Sequence, residues 1–345
     1  MSLYTEIIEQ PSRLSALLVS QRKHLEKVAQ AIRARDMQNV FLAARGTSDN
    51  ACRYANYVLG AYNGLPVALA APSLFTYYQQ PPKLRNTLVV GISQSGQSPD
   101  IVRVLDEGKR QGNLTLAITN DQESPLAKAA DFVLDIQAGP ELAVAATKTY
   151  TAELMTVAML SVALSDDKTR WNELASVSDW VSEVLKQDEY IQSAAQRYRY
   201  MQQCVVLGRG YNYSTTFEWA LKLKELTYTA AEPYSSADFQ HGPVAMVSHG
   251  FPVLAVAPTG KVFDSMLKTL TRLKMELSAE LVIISNSPEA LKLAQVPLTI
   301  PINVPEWLSP VVSIVPAQLF SYYLTLAKGY NPDAPRTISK VTETR

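Results

Sequence analysis

The sequence predicts an α/β protein of two tandem domains, each a parallel sheet flanked by helices. Two observations carry this expectation. Short, continuously apolar runs alternate with amphipathic stretches, the pattern of parallel strands buried on both faces. The alternation is also written twice: four apolar runs recur in one order at a nearly constant offset, the mark of an internal duplication. A chain of 345 residues suits two domains, each with its own core.

Residues 1–34 read as a leading helix. The first strand lies in NVFLAARG, 39–46, and a helix follows from 48 to 59. QCVVLGRG, 203–210, repeats it 164 positions later, with a helix from 214 to 228. NTLVVGISQSG, 86–96, returns as GFPVLAVAPTG, 250–260, again 164 apart. GNLTLAITND, 112–121, returns as SAELVIISNS, 278–287, with Asn120 and Asn286 separated by 166. ADFVLDI, 130–136, returns as VPLTIPI, 296–302. The expected domains are therefore 35–165 and 200–329, with a polar linker helix over 166–199 and a tail over 330–345.

Lys plus Arg and Asp plus Glu both number 32, so no net field draws the molecule toward nucleic acid or an anionic membrane, and neither is expected as a partner. An anionic ligand must be held by local geometry. Cys52 and Cys204 fit no disulfide or metal spacing, and with only His24, His241 and His249 beside them no protein-ligated metal is expected. Glu6 and Glu9 replace the basic start of a signal peptide, and the longest apolar stretch, taken as 154–164, is too short for a bilayer. The chain is expected to be cytoplasmic.

Ligands of such sheets sit beyond the C-terminal strand ends, so the loops there are where chemistry is sought. Ser93-Gln94-Ser95-Gly96-Gln97-Ser98-Pro99-Asp100 leaves one strand and enters a helix, with Ser98 suited to the N-cap, Pro99 to the first helical position and Asp100 to the first turn. Such a loop can surround a phosphate with N–H and O–H donors. Composition alone does not separate that reading from a well-capped helix. Arg45-Gly46-Thr47-Ser48 is a similar turn one strand over, bringing Thr47 and Ser48 to the same crevice. In the helix after Gly210, spacings of four and seven put Glu218, Lys222 and Glu225 on one face. Spacing favours a solvated face of ion pairs over a carboxylate poised to shuttle a proton beside an ammonium. His241, held before Gly242-Pro243, is expected in an exposed loop.

Ser93-Gln94-Ser95-Gly96, Arg45-Gly46-Thr47-Ser48, Val144-Ala145-Ala146-Thr147-Lys148, Ala220-Leu221-Lys222-Leu223-Lys224-Glu225, His241-Gly242-Pro243 and a tail with Pro335-Arg336 and Lys340-Val341-Thr342 resemble, together, the sugar isomerase (SIS) domain family in its tandem form. The likeness runs from about residue 35 to 345. It extends to the isomerase halves of glucosamine-6-phosphate synthases and to stand-alone deaminases of that fold. The resemblance implies two tandem SIS domains, each doubly wound and flavodoxin-like, and a sugar phosphate as substrate, with no metal or organic cofactor. It implies that Ser93, Gln94, Ser95 and Ser98 cradle the phosphate with Ser48 opposite and Thr47 nearby, while Val144, Ala146 and Ser339 border the sugar. Glu225 is then the base between C1 and C2, Lys222 its adjacent cation, His241 the ring-opening residue, and Lys340 the tail lysine that closes over the open-chain sugar. The histidine of the family comes from a neighbouring subunit, implying a homodimer with shared sites.

Gln97-Ser98 stands where the synthases carry Glu-Thr, and Ala146 where they carry a sugar-binding Ser. Gln97-Ser98-Pro99-Asp100 and Ser235-Ser236-Ala237-Asp238 look more like the deaminase branch. Residue 2 is Ser rather than a Cys nucleophile and the first strand begins at 39, so no glutaminase is expected and the deaminating direction is the natural one. The activity expected is aldose–ketose isomerising deamination of an amino-sugar 6-phosphate. A plain phosphosugar isomerase, a deglycase of sugar-amine 6-phosphates and a non-enzymatic sensor are the alternatives. A sensor has no use for the proton-transfer set, and no G-x-G-x-x-G follows any strand to suggest a dinucleotide enzyme.

Overall fold

A computed structural model describes residues 2–165 and 167–340. Asp166, expected to open the linker, and Val341 and Thr342 of the tail motif lie outside the described residues. Contacts divide the chain into two compact units. The first comprises Ser12–Glu141, Lys148–Ser176 and the tail from Ser339; the second comprises the start of the chain to Pro11, Leu142–Thr147 and Val177–Ile338.

The first unit holds β1 (Asn39–Ala43), β2 (Val67–Leu69), β3 (Thr87–Ile92), β4 (Leu114–Thr119) and β5 (Phe132–Asp135), all parallel, in the order β2-β1-β3-β4-β5. β3 and β4 are buried throughout, as their unbroken apolar sequences require. Phe41, Val89 and Ala117 from three neighbouring strands meet Val104 and Leu105 of the helix Pro99–Arg110 in one core. The second unit holds β6 (Gln203–Gly208), β7 (Ala230–Ser235), β8 (Pro252–Val256), β9 (Glu280–Ser285) and β10 (Val296–Thr299), also parallel, in the order β10-β9-β8-β6-β7. Its core joins Val205, Val253, Leu281 and Ile283 to Met266 and Leu270.

Counted from its own first strand, each sheet runs 2-1-3-4-5, the flavodoxin-like order. The duplication extends to the backbone. Left-handed residues recur at the offsets of the sequence repeat: Gly46 and Gly210 (φ +55° and +61°), Asn86 and Gly250 (+47° and +72°), Gly112 and Ser278 (+80° and +52°).

Several elements differ from expectation. The edge strands β2 and β7 were not among the expected strands. β2 is only three apolar residues, of which Ala68 and Leu69 are exposed, in a short run bounded by Pro66 and Pro72, and β7 carries Glu232 and Pro233, a proline that only an edge strand accommodates easily. The leading helix is two helices, Leu3–Ile8 and Gln10–Arg33, with Pro11 in the first turn of the second, where a missing N–H costs nothing. The expected linker helix is three, Lys168–Ala175, Val177–Leu185 and Asp188–Ala195, followed by a 3-10 turn at Gln196–Tyr198. Asp167 caps the first of them through the N–H groups of Thr169 and Arg170.

The longest apolar helix is also not 154–164. The helix Ser309–Ala327, with the 3-10 turn before it, is long and apolar enough to cross a membrane by length and composition, but 83% of its most apolar window is buried inside the protein. It is the central helix of the second unit, meeting Trp219 edge-on through Phe320 (5.9 Å between ring centroids, 88°).

Candidate functional site

The loops after β1 and β3 leave the first sheet at its switch point, where the strand order reverses and ligands collect. They are fastened to each other. The half-exposed Arg45 places its Nε 2.8 Å from Oδ2 of the fully buried Asp100, whose Oδ1 accepts the N–H of Ile101. The Ser93 loop is also pinned to the end of β4: Ser93 N–H donates to the Ile118 carbonyl (3.0 Å), Asn120 N–H to the Gln94 carbonyl (3.1 Å), and Leu126 N–H to the Gly96 carbonyl (3.1 Å).

Within the loop, Gly96 N–H donates to Ser93 Oγ (3.1 Å) and Gln97 N–H to Ser95 Oγ (3.3 Å). Two backbone donors are thus spent locally. Each hydroxyl, having accepted, still holds a proton to donate outward. Ser98 occupies the N-cap of the helix Pro99–Arg110 but makes no capping bond with its side chain, so its hydroxyl is not spent there either. Gln94, Ser95 and Ser98 are half-buried and Ser93 is buried. The hydroxyls of Ser93, Ser95 and Ser98 therefore all keep a proton to donate.

Gly96 has φ +62°, and a Cβ there would overlap the Ser124 side chain. Gly96→Ala is expected to destabilise the first unit by at least about 1–2 kcal/mol from the left-handed backbone alone, read as a lower Tm.

The Ser48 hydroxyl donates to Oε1 of the buried Glu153 (2.8 Å), on the helix Lys148–Ser165. Thr47 beside it is half-buried. In the tail, Ser339 is exposed and Lys340 places Nζ 2.6 Å from Oε2 of Glu141. Glu141 has no exposed side chain, and it also receives the N–H and hydroxyl of Thr149 (3.1 and 2.8 Å), capping the helix Lys148–Ser165. Glu141 and Glu153 were not foreseen. The available signal was an isolated acid in an apolar neighbourhood, as in TAELMTVAML, where a lone charge must find a buried partner.

The remaining expected residues go with the second unit. Residues 142–147 alternate, with Ala143, Ala145 and Thr147 buried and Leu142, Val144 and Ala146 more open; the Glu6 carboxylate receives the N–H groups of Leu142 and Ala143. His241 is exposed on the turn after the short helix Ser236–Phe239, as expected.

Glu218, Lys222 and Glu225 do share a face, but it is not solvated. Lys222 Nζ lies 2.6 Å from Glu225 Oε2 and 3.3 Å from Glu218 Oε1; the side chains of Lys222 and Glu218 are 1% and 0% exposed, that of Glu225 24%. Their helix, Tyr213–Lys222, packs against β6, β7 and the central helix Ser309–Ala327; Glu218 and Lys222 are buried, while Tyr213, Phe217 and Leu221 form its more open face. The regular helix expected to 228 gives way at Leu223 to a π turn, Leu223–Thr227, and Glu225 sits inside it. Such turns occur often at functional sites. Within the trio one ammonium faces two carboxylates, so a proton taken up by Glu225, the more accessible of the two, leaves a neutral Lys222–Glu218 pair rather than an uncompensated charge.

Neither thiol competes as a nucleophile. Burial pushes Cys204 up to about 12 and Cys52 well above the usual range, so both stay protonated near neutrality. Among the described residues, no group of three or more His, Cys, Asp or Glu side chains is arranged to hold a metal ion.

The class defined by two flavodoxin-like sheets with these loops is matched directly by comparison. The SIS domain model matches residues 35–163 and again 200–328. The chain belongs to the SIS domain family, in its tandem form. It is 34% identical over 344 residues to the isomerizing glutamine–fructose-6-phosphate aminotransferase of Thermococcus kodakarensis, covering 97% of this chain and 56% of that protein. The chain therefore spans little more than half the length of the curated relatives it matches. A structure from Silicibacter pomeroyi, provisionally assigned as a phosphosugar isomerase, is 31% identical with a TM-score of 0.84, covering 96% of this chain and all of that one. The glucosamine-6-phosphate deaminase of Thermotoga maritima has a TM-score of 0.82 over the full length of both chains at 22% identity, a likeness of fold alone.

Proposed function

We propose that this protein is a phosphosugar isomerase that carries out isomerising deamination, converting glucosamine 6-phosphate and water to fructose 6-phosphate and ammonia. The observation that carries the reading is the buried Lys222 held between Glu218 and the partly accessible Glu225. A solvated helix face has no reason to bury an ammonium with two carboxylates. A proton-transfer site does, because the ammonium stabilises the negative charge that develops on the substrate as its proton is removed. The tandem SIS architecture and its relatives support a phosphorylated sugar, and the Gln97-Ser98-Pro99-Asp100 sequence supports the deaminating branch.

In this reading the hydroxyls of Ser93, Ser95 and Ser98 hold the phosphate, and anchoring it positions C1 and C2. His241 opens the ring. Glu225 takes the proton from C2 and returns it to C1 through an enolamine, and water hydrolyses the resulting C2 imine with loss of ammonia. Lys340, held by Glu141, contacts the open-chain sugar. No cofactor is called for, because each step moves only protons and water. The second reading, isomerisation without loss of nitrogen, is favoured by the Silicibacter pomeroyi likeness and uses the same residues.

Replacing Ser93 and Ser95 by Ala is expected to raise KM. Each lost charge-assisted hydrogen bond removes roughly 1–3 kcal/mol, about 5- to 150-fold in binding. Equal turnover of free and phosphorylated sugar would remove the phosphate from the account. We also propose a homodimer in which His241 serves the partner's site. A His241→Ala chain mixed with a Glu225→Gln chain, each inactive alone, is then expected to regain activity. No recovery after verified subunit exchange would refute the shared site.

A further inference from the structure

Tyr228 ends the π turn that carries Glu225, and its backbone is left-handed at φ +56°, ψ +23°. For a bulky side chain this conformation is an outlier that persists only where the surroundings impose it. The surroundings here come from the tail of the same unit. Arg336 donates its backbone N–H to the Tyr228 phenol oxygen (2.9 Å), its guanidinium lies 3.9 Å over the Tyr228 ring, and the Tyr330 ring packs on the other contact at 4.9 Å between centroids. The turn itself is tied from within: the Thr227 hydroxyl donates to the Leu223 carbonyl (2.7 Å) and sits 2.8 Å from the Thr229 hydroxyl, which donates to the Met201 carbonyl (3.3 Å). Pro332 and Pro335 are buried, so the tail reaches Arg336 along an anchored path.

We propose that Tyr228 is a positioning residue for Glu225: docking of the tail at Arg336 holds Tyr228 left-handed and, through it, holds the π turn in the geometry that presents the carboxylate. The role given to Glu225 rests on the function proposed above; the coupling of tail to turn does not. Because Arg336 contributes a backbone donor and a side-chain cation separately, the clamp divides into two halves. Tyr228→Phe removes the hydrogen bond and keeps the ring under the guanidinium. Arg336→Ala removes the cation and keeps the backbone donor.

The test measures amide hydrogen exchange of the full chain for both single variants and the double variant, alongside exchange of the C2 proton of glucosamine 6-phosphate with deuterated water. Each single change is expected to speed amide exchange over 223–227 about three- to tenfold, the double change more than either, while β6, β8 and β9 are unaffected. Turnover for C2 exchange falls in parallel with KM unchanged. Unaltered amide exchange over 223–227 in the double variant, or a rise spread evenly over the whole unit, overturns the coupling. A wild-type protein that does not exchange the C2 proton overturns the role of Glu225, while the amide result still decides the coupling.

Discussion

Glu225→Gln is expected to lose on the order of 10²–10⁴ in turnover with little change in substrate affinity, because the amide keeps the shape of the side chain and cannot accept the C2 proton. The effect is separable from stability. Glutamine can still accept a hydrogen bond from Lys222, and the Lys222–Glu218 pair that remains is neutral as a pair. The folded variant is therefore expected to keep its Tm within a few degrees while exchange of the C2 proton with deuterated water disappears. Persistent C2 exchange in the folded variant would move the base to another residue, with His241 the next candidate.

The second large effect is expected at Lys222, and on stability as well as activity. Lys222→Met fills nearly the same space and leaves the carboxylates of Glu218 and Glu225 facing one another without the ammonium, one of them fully buried. Removing one partner from a buried charged cluster costs about 3–5 kcal/mol, most of it the desolvation of the charge left behind. Adding Glu218→Gln to that variant is expected to recover part of the lost Tm and none of the turnover. Denaturant unfolding of the three proteins checks the first statement and a C2-exchange assay the second. An unchanged Tm in Lys222→Met would mean that the cluster contributes nothing to holding the second unit together.

The two sheets were legible because buried parallel strands announce themselves as unbroken apolar runs, and the repeat of β1, β3, β4 and β5 as β6, β8, β9 and β10 is visible at a fixed offset. β2 and β7 were not: β2 is three residues in a short apolar run between two prolines, and β7 carries Glu232 and Pro233, which follow the surface rather than the core. The loop after β3 was legible as a turn into a helix, with Ser98 at the N-cap and Pro99 at its first position. Its internal bonds, which consume the Gly96 and Gln97 amides, were not.

The same division runs through the trio. Spacing placed Glu218, Lys222 and Glu225 on one face but could not say what the face meets. That is decided by β6, β7 and the helix Ser309–Ala327, the last nearly 90 positions further along, which all pack against the helix Tyr213–Lys222. The π turn at Leu223–Thr227 leaves no periodic trace in five residues, and the partners of Ser48 and Lys340, Glu153 and Glu141, are long-range contacts that local pattern does not encode.

Incubation of the protein with glucosamine 6-phosphate in deuterated water, followed by NMR and by an assay of released ammonia, tests the proposed function most directly. The account predicts loss of the C2 proton signal, the appearance of fructose 6-phosphate and one equivalent of ammonia per sugar consumed, all three abolished by Glu225→Gln. Ammonia release that survives this substitution, or a sugar left chemically unchanged by the wild-type protein across a panel of amino-sugar 6-phosphates, would contradict it.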